Sequence, residues 1–431
     1  MKAPGLHDPF PARPADPDER LAITQNGGSR LSVLVAARDE ERRIGETVNV
    51  LRAQFPDATI VVADDGSRDR TAAVAEAAGA RVIRLGRCGK GQALTMAEKQ
   101  LEPGPLLLCD ADLVGDIRRL AETGADLAIA AFSVRKGGGF GLAKRAARSL
   151  IRLRCGLVLR EPLSGQRWLS TKARAVVFPV AMGFGVETRM SIDAVRAGLE
   201  VEELDLELEH RATGRDLRGF THRGRQLVEL VLACGPQTVN HRGLRLPLVG
   251  AVVGLAAPSV SPVAAIGLAD DLWSGPERGF RAHLGSGATT GTLKLVGIPL
   301  YALARTRSLS GALLVGLAAN AVNQLDTRPG RALKAFGLGA LLLGGAPKRV
   351  LAVAVLLAPY DLKEMAMLGD AGSNALGAVL GFSSVERLTG CRRWSAIGAL
   401  ALLTLAGERR SLGAAIEATP VLRDLDRLGR M

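Results

Sequence analysis

LLLCDADL, residues 106–113, decides the fold of the first half of this chain. Its first four residues are apolar, as in a short strand buried on both faces, and two carboxylates, Asp110 and Asp112, stand at its carboxyl end. The design recurs upstream: residues 31–36 are apolar and lead to Asp39-Glu40, and residues 59–63 are apolar and lead to Asp64-Asp65. Between these strands, residues 40–54 carry Ile44, Val48 and Leu51 at helical spacing. Residues 69–78 read as a second helix, 81–85 as a third strand and 127–131 as a fifth. Strands alternating with helices predict a doubly wound α/β sheet. Such sheets bind ligands beyond the carboxyl ends of their strands, which is where the acidic residues collect.

The chain of 431 residues is too long for one ordinary core, and its charge is unevenly spread. Charged residues are dense up to about Arg245 and sparse from there to about Gly407. The net charge is +13, with cations concentrated from Arg211 through Arg245, just before the apolar half. Basic residues beside a membrane span mark its cytoplasmic side. No aromatic stacking platform accompanies them, which argues against nucleic acid as a partner. The five cysteines (Cys88, Cys109, Cys155, Cys234 and Cys391) form no CxxC pair, as expected in a reducing compartment. Residues 1–28 have no apolar signal core and read as a disordered tail.

Four motifs in the first half make it similar to the family 2 glycosyltransferases, which have the nucleotide-sugar-binding α/β fold called GT-A: VLVAARDEERRI (33–44), VVADDGSRDRT (61–71), GKGQAL (89–94) and LLLCDADL. Ala36 and Asp39 depart from the Pro and Asn usual there. The resemblance implies that Glu40 and Asp65 contact the nucleoside, that Lys90 lies near the nucleotide and that Asp112 ligates Mg²⁺ or Mn²⁺. Both Asp110 and Asp112 are placed to serve a cation and a diphosphate. Further on, LSGQRWLS (163–170), GFGVETRMSIDA (183–194) and LEHRATGRDLRGFTHRGRQ (208–226) resemble the glucosyl-3-phosphoglycerate synthases and polyprenyl-phosphate hexosyltransferases. That likeness implies an acceptor loop at Ser164, Gly165, Gln166 and Arg167, a metal ligand at His210 and phosphate contacts at Arg211 and Arg215. Glu187 reads as acceptor-binding or structural. Whether anomeric configuration is retained or inverted stays open.

Residues 246–269 carry no charge, long enough for a membrane span although Pro258 and Pro262 interrupt them. Further apolar stretches near 295–304, 309–325, 335–346, 350–359, 371–382 and 396–406 predict an all-α, multi-pass membrane domain. GLADDLWSGPERGFRAHL (267–284), ANAVNQLDTRPGRALKAF (319–336) and MLGDAGSNALGAVLGF (367–382) resemble the polyprenyl-phosphate sugar-1-phosphate transferases. Carried over, a second metal-and-diphosphate site falls on Asp270, Asp271, Asn320, Asn323, Asp326 and Asp370.

The expected organisation is a GT-A domain over 29–225, a basic linker over 226–246, the membrane domain over 247–410 and an amphipathic tail over 411–431. The expected activity is metal-dependent transfer from a UDP- or GDP-sugar to a lipid phosphate or a phosphorylated small molecule, at the cytoplasmic face of the cell membrane. Two alternatives stay open: sugar-1-phosphate transfer by the apolar half, or a non-catalytic platform for envelope assembly.

Overall fold

The computed structural model describes residues 30–132, 141–208, 227–240, 242–273, 290–409 and 412–430. Two compact units divide near residue 235, with residues 239–245 belonging to the first and 246 onward to the second.

In the first unit the elements run β1 (Ser32–Ala37), α1 (Ile44–Gln54), β2 (Thr59–Asp65), α2 (Thr71–Ala77), β3 (Arg81–Leu85), α3 (Lys90–Glu98), β4 (Leu106–Asp110), β5 (Leu127–Phe132), α4 (Gly141–Cys155), β6 (Arg167–Leu169), α5 (Thr171–Val177), α6 (Val186–Arg196) and β7 (Val201–Leu206). They form one seven-stranded sheet in the order β3-β2-β1-β4-β6-β5-β7. The first four strands in that order are parallel, as the βα alternation predicts. Strand β6 is antiparallel to both its neighbours, so the sheet is mixed. That strand is three residues long, too short to show a pattern, and it emerges from the segment expected to be an acceptor loop.

Side chains alternate across the sheet with period two. Leu34, Val61, Ala63, Leu106 and Leu108 share one core with Ala93, Leu94 and Met190 from α3 and α6. Val33, Val35, Val62, Leu107 and Cys109 share the other with Ile44, Val48 and Leu51. Each fully buried Leu or Val contributes roughly 1.5–3 kcal/mol, which fixes the register tightly. The register pairs Ala36 with Ala63 and with Asp110, so the acidic ends of β1, β2 and β4 stand side by side.

Residues 227–234, expected as linker, are helical, and Leu230 packs on Ala143 and Ala147 of α4. Arg174 ties the back of α3 to α5: its guanidinium donates to Glu98 at 2.9 Å and to the carbonyl of Glu102 at 2.7 Å, with both side chains buried.

The second unit is helical: α7 (Ala251–Ala256), α8 (Ser261–Trp273), α9 (Thr290–Thr306), α10 (Leu309–Leu325), α11 (Arg331–Leu342), α12 (Lys348–Leu362), α13 (Gly369–Arg387), α14 (Gly390–Arg409), α15 (Leu412–Ala418) and α16 (Pro420–Arg427). The uncharged stretch 246–269 is not one span. Ala257 is extended, and Pro258 opens a short 3₁₀ turn between α7 and α8, because a proline lacks the N–H that would continue the first helix. Among the described residues no helix is long and apolar enough to cross a membrane. The pattern of burial is nonetheless unusual. Glycines lie inside: a Cβ at Gly377 would stand 2.6 Å from Cα of Ala319, and one at Gly381 2.6 Å from Cα of Val315, so α13 and α10 touch backbone to backbone. Leucines lie outside, with Leu341 and Leu342 of α11 at 76% and 78% exposed. Helix α16 faces inward with its charge: Asp426 is buried between Arg331 and Arg430, while Val421, Leu422, Leu425 and Leu428 are exposed.

Removing one partner of a buried ion pair strands the other charge, at about 3–5 kcal/mol. Arg174→Met is expected to destabilise the first unit by that amount, read as a lower midpoint in thermal unfolding.

Candidate active site

Asp110 ends β4, and the antiparallel register of β6 sets what faces it. Leu108 pairs with Arg167, so two residues further along β4 the chain meets Gly165. A methyl group at Gly165 would overlap the Asp110 carboxylate. Only a residue without a side chain lets the loop pass there.

Lys90 opens α3 behind Gly89, which holds φ at +95°, a region open to glycine. The carboxylate of Asp65 fixes this corner, accepting the N–H of Cys88 at 2.6 Å and that of Gly89 at 2.9 Å. From there the Lys90 ammonium donates to Asp110 at 2.8 Å and to Glu187, in the first turn of α6, at 2.7 Å. Burial disfavours the charged lysine, but Asp110 and then Glu187 outweigh it, and the net effect raises its pKa. The ammonium therefore stays charged at neutral pH. Lys90, Gly165, Arg167 and Glu187 line a small cavity of about 10 Å³, enough for about one water.

Asp112 is exposed, and its side chain makes no hydrogen bond or ion pair with any described residue. Glu40 stands near it: burial raises the Glu40 pKa, Arg43 opposes this, and the charge on Asp112 raises it further. Lys90 meets Asp110 and Glu187, Arg43 meets Glu40 at 3.2 Å, and Asp112 has no cation against it among the described residues. A hard divalent cation with oxygen ligands fits this deficit, and Asp112 has its oxygens free to bind it. Among the described residues no three His, Cys, Asp or Glu side chains are already gathered around a metal position. His210, Arg211 and Arg215, expected to complete the site, lie outside the described residues.

Arg167 corrects the sequence reading. It is 0% exposed, and its guanidinium donates to the carbonyls of Ser164 (2.8 Å) and Pro162 (2.9 Å) and to Ser191 Oγ (2.9 Å). Burial lowers its pKa to about 10, with Glu187 opposing. Three of its five N–H donors hold the loop, and its burial makes it a part of the scaffold beneath the site. Ser164 and Gln166 are buried too, and the Ser164 hydroxyl donates to Gln166 Oε1 at 3.3 Å. Burial and then Asp65 push the Cys88 thiol up to about 12, and burial holds Cys109 well above its usual value.

The second cluster is assembled differently from its expectation. Lys294 donates to Asp270 at 2.8 Å and to Asp370, standing where a metal was expected. Asp271 caps α13 by accepting the N–H groups of Asp370 (2.8 Å) and Ala371 (2.9 Å). Asn323 accepts from Ser373 at 2.8 Å, and Asp326 is within electrostatic reach of Asp271, Asp361 and Asp370. Asn320 does not join them; its amide donates to Thr404 of α14 at 3.2 Å. Sequence reading missed Lys294, although it is the one charge between residues 290 and 304.

Residues 32–151 match the model of glycosyl transferase family 2. The chain carries a family 2 glycosyltransferase domain, and its enzyme class is glycosyltransferase. It is 28% identical over 245 residues to the glucosyl-3-phosphoglycerate synthase of Mycolicibacterium paratuberculosis, covering 48% of this chain and 73% of that one. It is 32% identical over 82 residues to Protein RfbJ of Shigella flexneri, covering 19% of this chain and 64% of that one. Among solved structures, glucosyl-3-phosphoglycerate synthase from Mycobacterium tuberculosis in complex with Mg²⁺ and uridine diphosphate aligns with a TM-score of 0.41 and 27% identity, over 52% of this chain and 86% of that one.

Two substitutions test these contacts. Gly165→Ala forces the Asp110 carboxylate off Lys90 and is expected to cost roughly 1–3 kcal/mol of stability and about 10²-fold in kcat/KM, measured by melting and steady-state kinetics. Lys294→Met strips Asp270 and Asp370 of their cation; the melting midpoint of the full chain should fall by about 5 °C, and millimolar Mg²⁺ should restore part of it.

Proposed function

We propose that the chain transfers a sugar from a UDP- or GDP-sugar to a phosphorylated acceptor, with a polyprenyl-type lipid phosphate as the favoured acceptor and the cytoplasmic membrane face as its place of work. The observation that carries the reading is the half-buried ammonium of Lys90, held between the strand-end carboxylate of Asp110 and Glu187 of α6. Asp112 with Asp110 would hold Mg²⁺ or Mn²⁺, His210 being the further ligand that the sequence suggests. The bound cation would neutralise the departing diphosphate. Lys90, charged and pre-oriented, supplies a second positive charge beside that leaving group without having to reorganise. Glu187, buried and hydrogen-bonded to Lys90, lines the same cavity.

Support for a lipid acceptor comes from the second unit. Exposed leucines outside and glycine-mediated contacts inside are the pattern of helices packed in an apolar solvent. On this reading the second unit is a membrane platform, with Lys294 rather than a metal between its acids. A phosphorylated small acid is the other acceptor class, favoured by the relative named for phosphoglycerate.

The test uses the purified full chain with a nucleotide-sugar panel, Mg²⁺ or Mn²⁺, and either a polyprenyl phosphate or 3-phosphoglycerate. Metal-dependent donor consumption is expected, accelerated by the lipid phosphate and reduced about 10²–10³-fold by Asp112→Asn. Absence of metal-dependent binding to every donor would sink the reading; acceleration by 3-phosphoglycerate alone would reassign the acceptor.

A further inference from the structure

Helix α4 has no role in the donor chemistry, yet its composition is extreme. Its fifteen residues, GLAKRAARSLIRLRC, hold five cations and no carboxylate. One side is fully accounted for by packing: Ala143, Ala147 and Ile151 are buried, the first two against Leu230. The opposite side is not. Leu142, Arg145, Ser149, Arg152 and Leu153 are all exposed, at spacings of three and four residues that place them on one stripe. Leu142 is 57% exposed and Leu153 81% exposed, and just beyond the helix Val158 is 63% exposed.

We infer that this stripe docks the glycosyltransferase unit onto an anionic lipid bilayer. Large aliphatic residues standing among arginines on one helical face match the interfacial zone of a membrane. There the apolar side chains enter the acyl boundary and the guanidinium groups meet headgroup phosphates. Charge decides among the occupants. The guanidinium of Arg152 makes no hydrogen bond or ion pair with any described residue. A second copy would bring the same positive charge.

The docking has a consequence for the acceptor side. Lys144 pairs with Glu161, and Arg148 donates to the carbonyls of Leu159 (2.8 Å) and Arg160 (2.9 Å). The Glu161 carbonyl in turn accepts the N–H of Ser164 at 3.1 Å, one residue before the glycine that rests on Asp110. A bilayer under α4 therefore orients the loop expected to receive the acceptor through a short chain of direct contacts. The docking does not depend on which acceptor is used.

The experiment places an environment-sensitive fluorophore at position 153 of the full chain, as Leu153→Cys in a Cys391→Ser background, since Cys391 is the exposed native cysteine among those described. The background without Leu153→Cys is labelled in parallel and subtracted. Vesicles are of phosphatidylcholine alone, or with about 30% phosphatidylglycerol. Emission is expected to shift to the blue with the anionic vesicles, with an apparent affinity at least about tenfold above that for phosphatidylcholine. Arg145→Glu with Arg152→Glu should remove the preference. No shift with anionic vesicles overturns the inference, as does an equal shift with both lipids. A spectrum already blue without vesicles also overturns it, showing that protein covers the stripe. Anchoring by the helical unit would bring the chain to both vesicle types without a charge-dependent signal at position 153. Since no sugar is turned over, failure here is distinct from failure of the proposed reaction.

Discussion

The first unit depends on how one ammonium group is held. The strand register sets Asp110 at the carboxyl end of the sheet and α6 brings Glu187 to it, and without Lys90 these two carboxylates would repel each other. The position of Lys90 is itself a consequence. Asp65, at the end of the neighbouring strand, holds the N–H groups of Cys88 and Gly89, and that corner starts α3 so that its first residue points at Asp110. Asp65 thus serves the geometry of the site. An ionised carboxylate has about four acceptor positions, and the corner uses only part of that capacity.

Much of the fold was legible in the sequence because it was written in period and contrast. Apolar runs ending in acids gave β1, β2 and β4 to within a residue or so, and the helical spacing of Ile44, Val48 and Leu51 gave α1. Strand β6 was not legible: three residues cannot show alternation, and their pairing is decided by distant partners. Asp112, singled out in the sequence by its place after an apolar strand, stands exposed just beyond β4. The site was misread where a polar residue is consumed internally. Nothing local distinguishes an arginine that meets a ligand from one, like Arg167, that meets three groups of its own chain. Gly165 carries a clue of its own, since a glycine two residues before a buried strand residue often marks close backbone approach.

In the second unit the sequence announced its acids and hid their use. Asp270, Asp271, Asp326 and Asp370 do assemble, but Lys294 and two helix N–H groups meet them, and Asn320 goes elsewhere. A lysine amid apolar residues is costly unless something needs its charge, and that cost is legible in the amino-acid sequence alone. The glycine contacts between α10 and α13 bring the two backbones together with no side chain between them.

The buried pairing of Arg331 with Asp426 spans 95 residues. On a ribosome, Arg331 is made well before its partner, and four helices must be laid down in between. Until then its guanidinium has Thr327, and later the half-exposed Glu417, but not its buried counter-ion. The inward-facing acid of α16 therefore acts as a late keystone: α11 reaches its final seat only after nearly all of the chain around it has been synthesised. Newborn chains paused short of residue 426 would present an incompletely closed helical unit, with the same exposed leucines and one orphaned charge, to whatever machinery attends their folding.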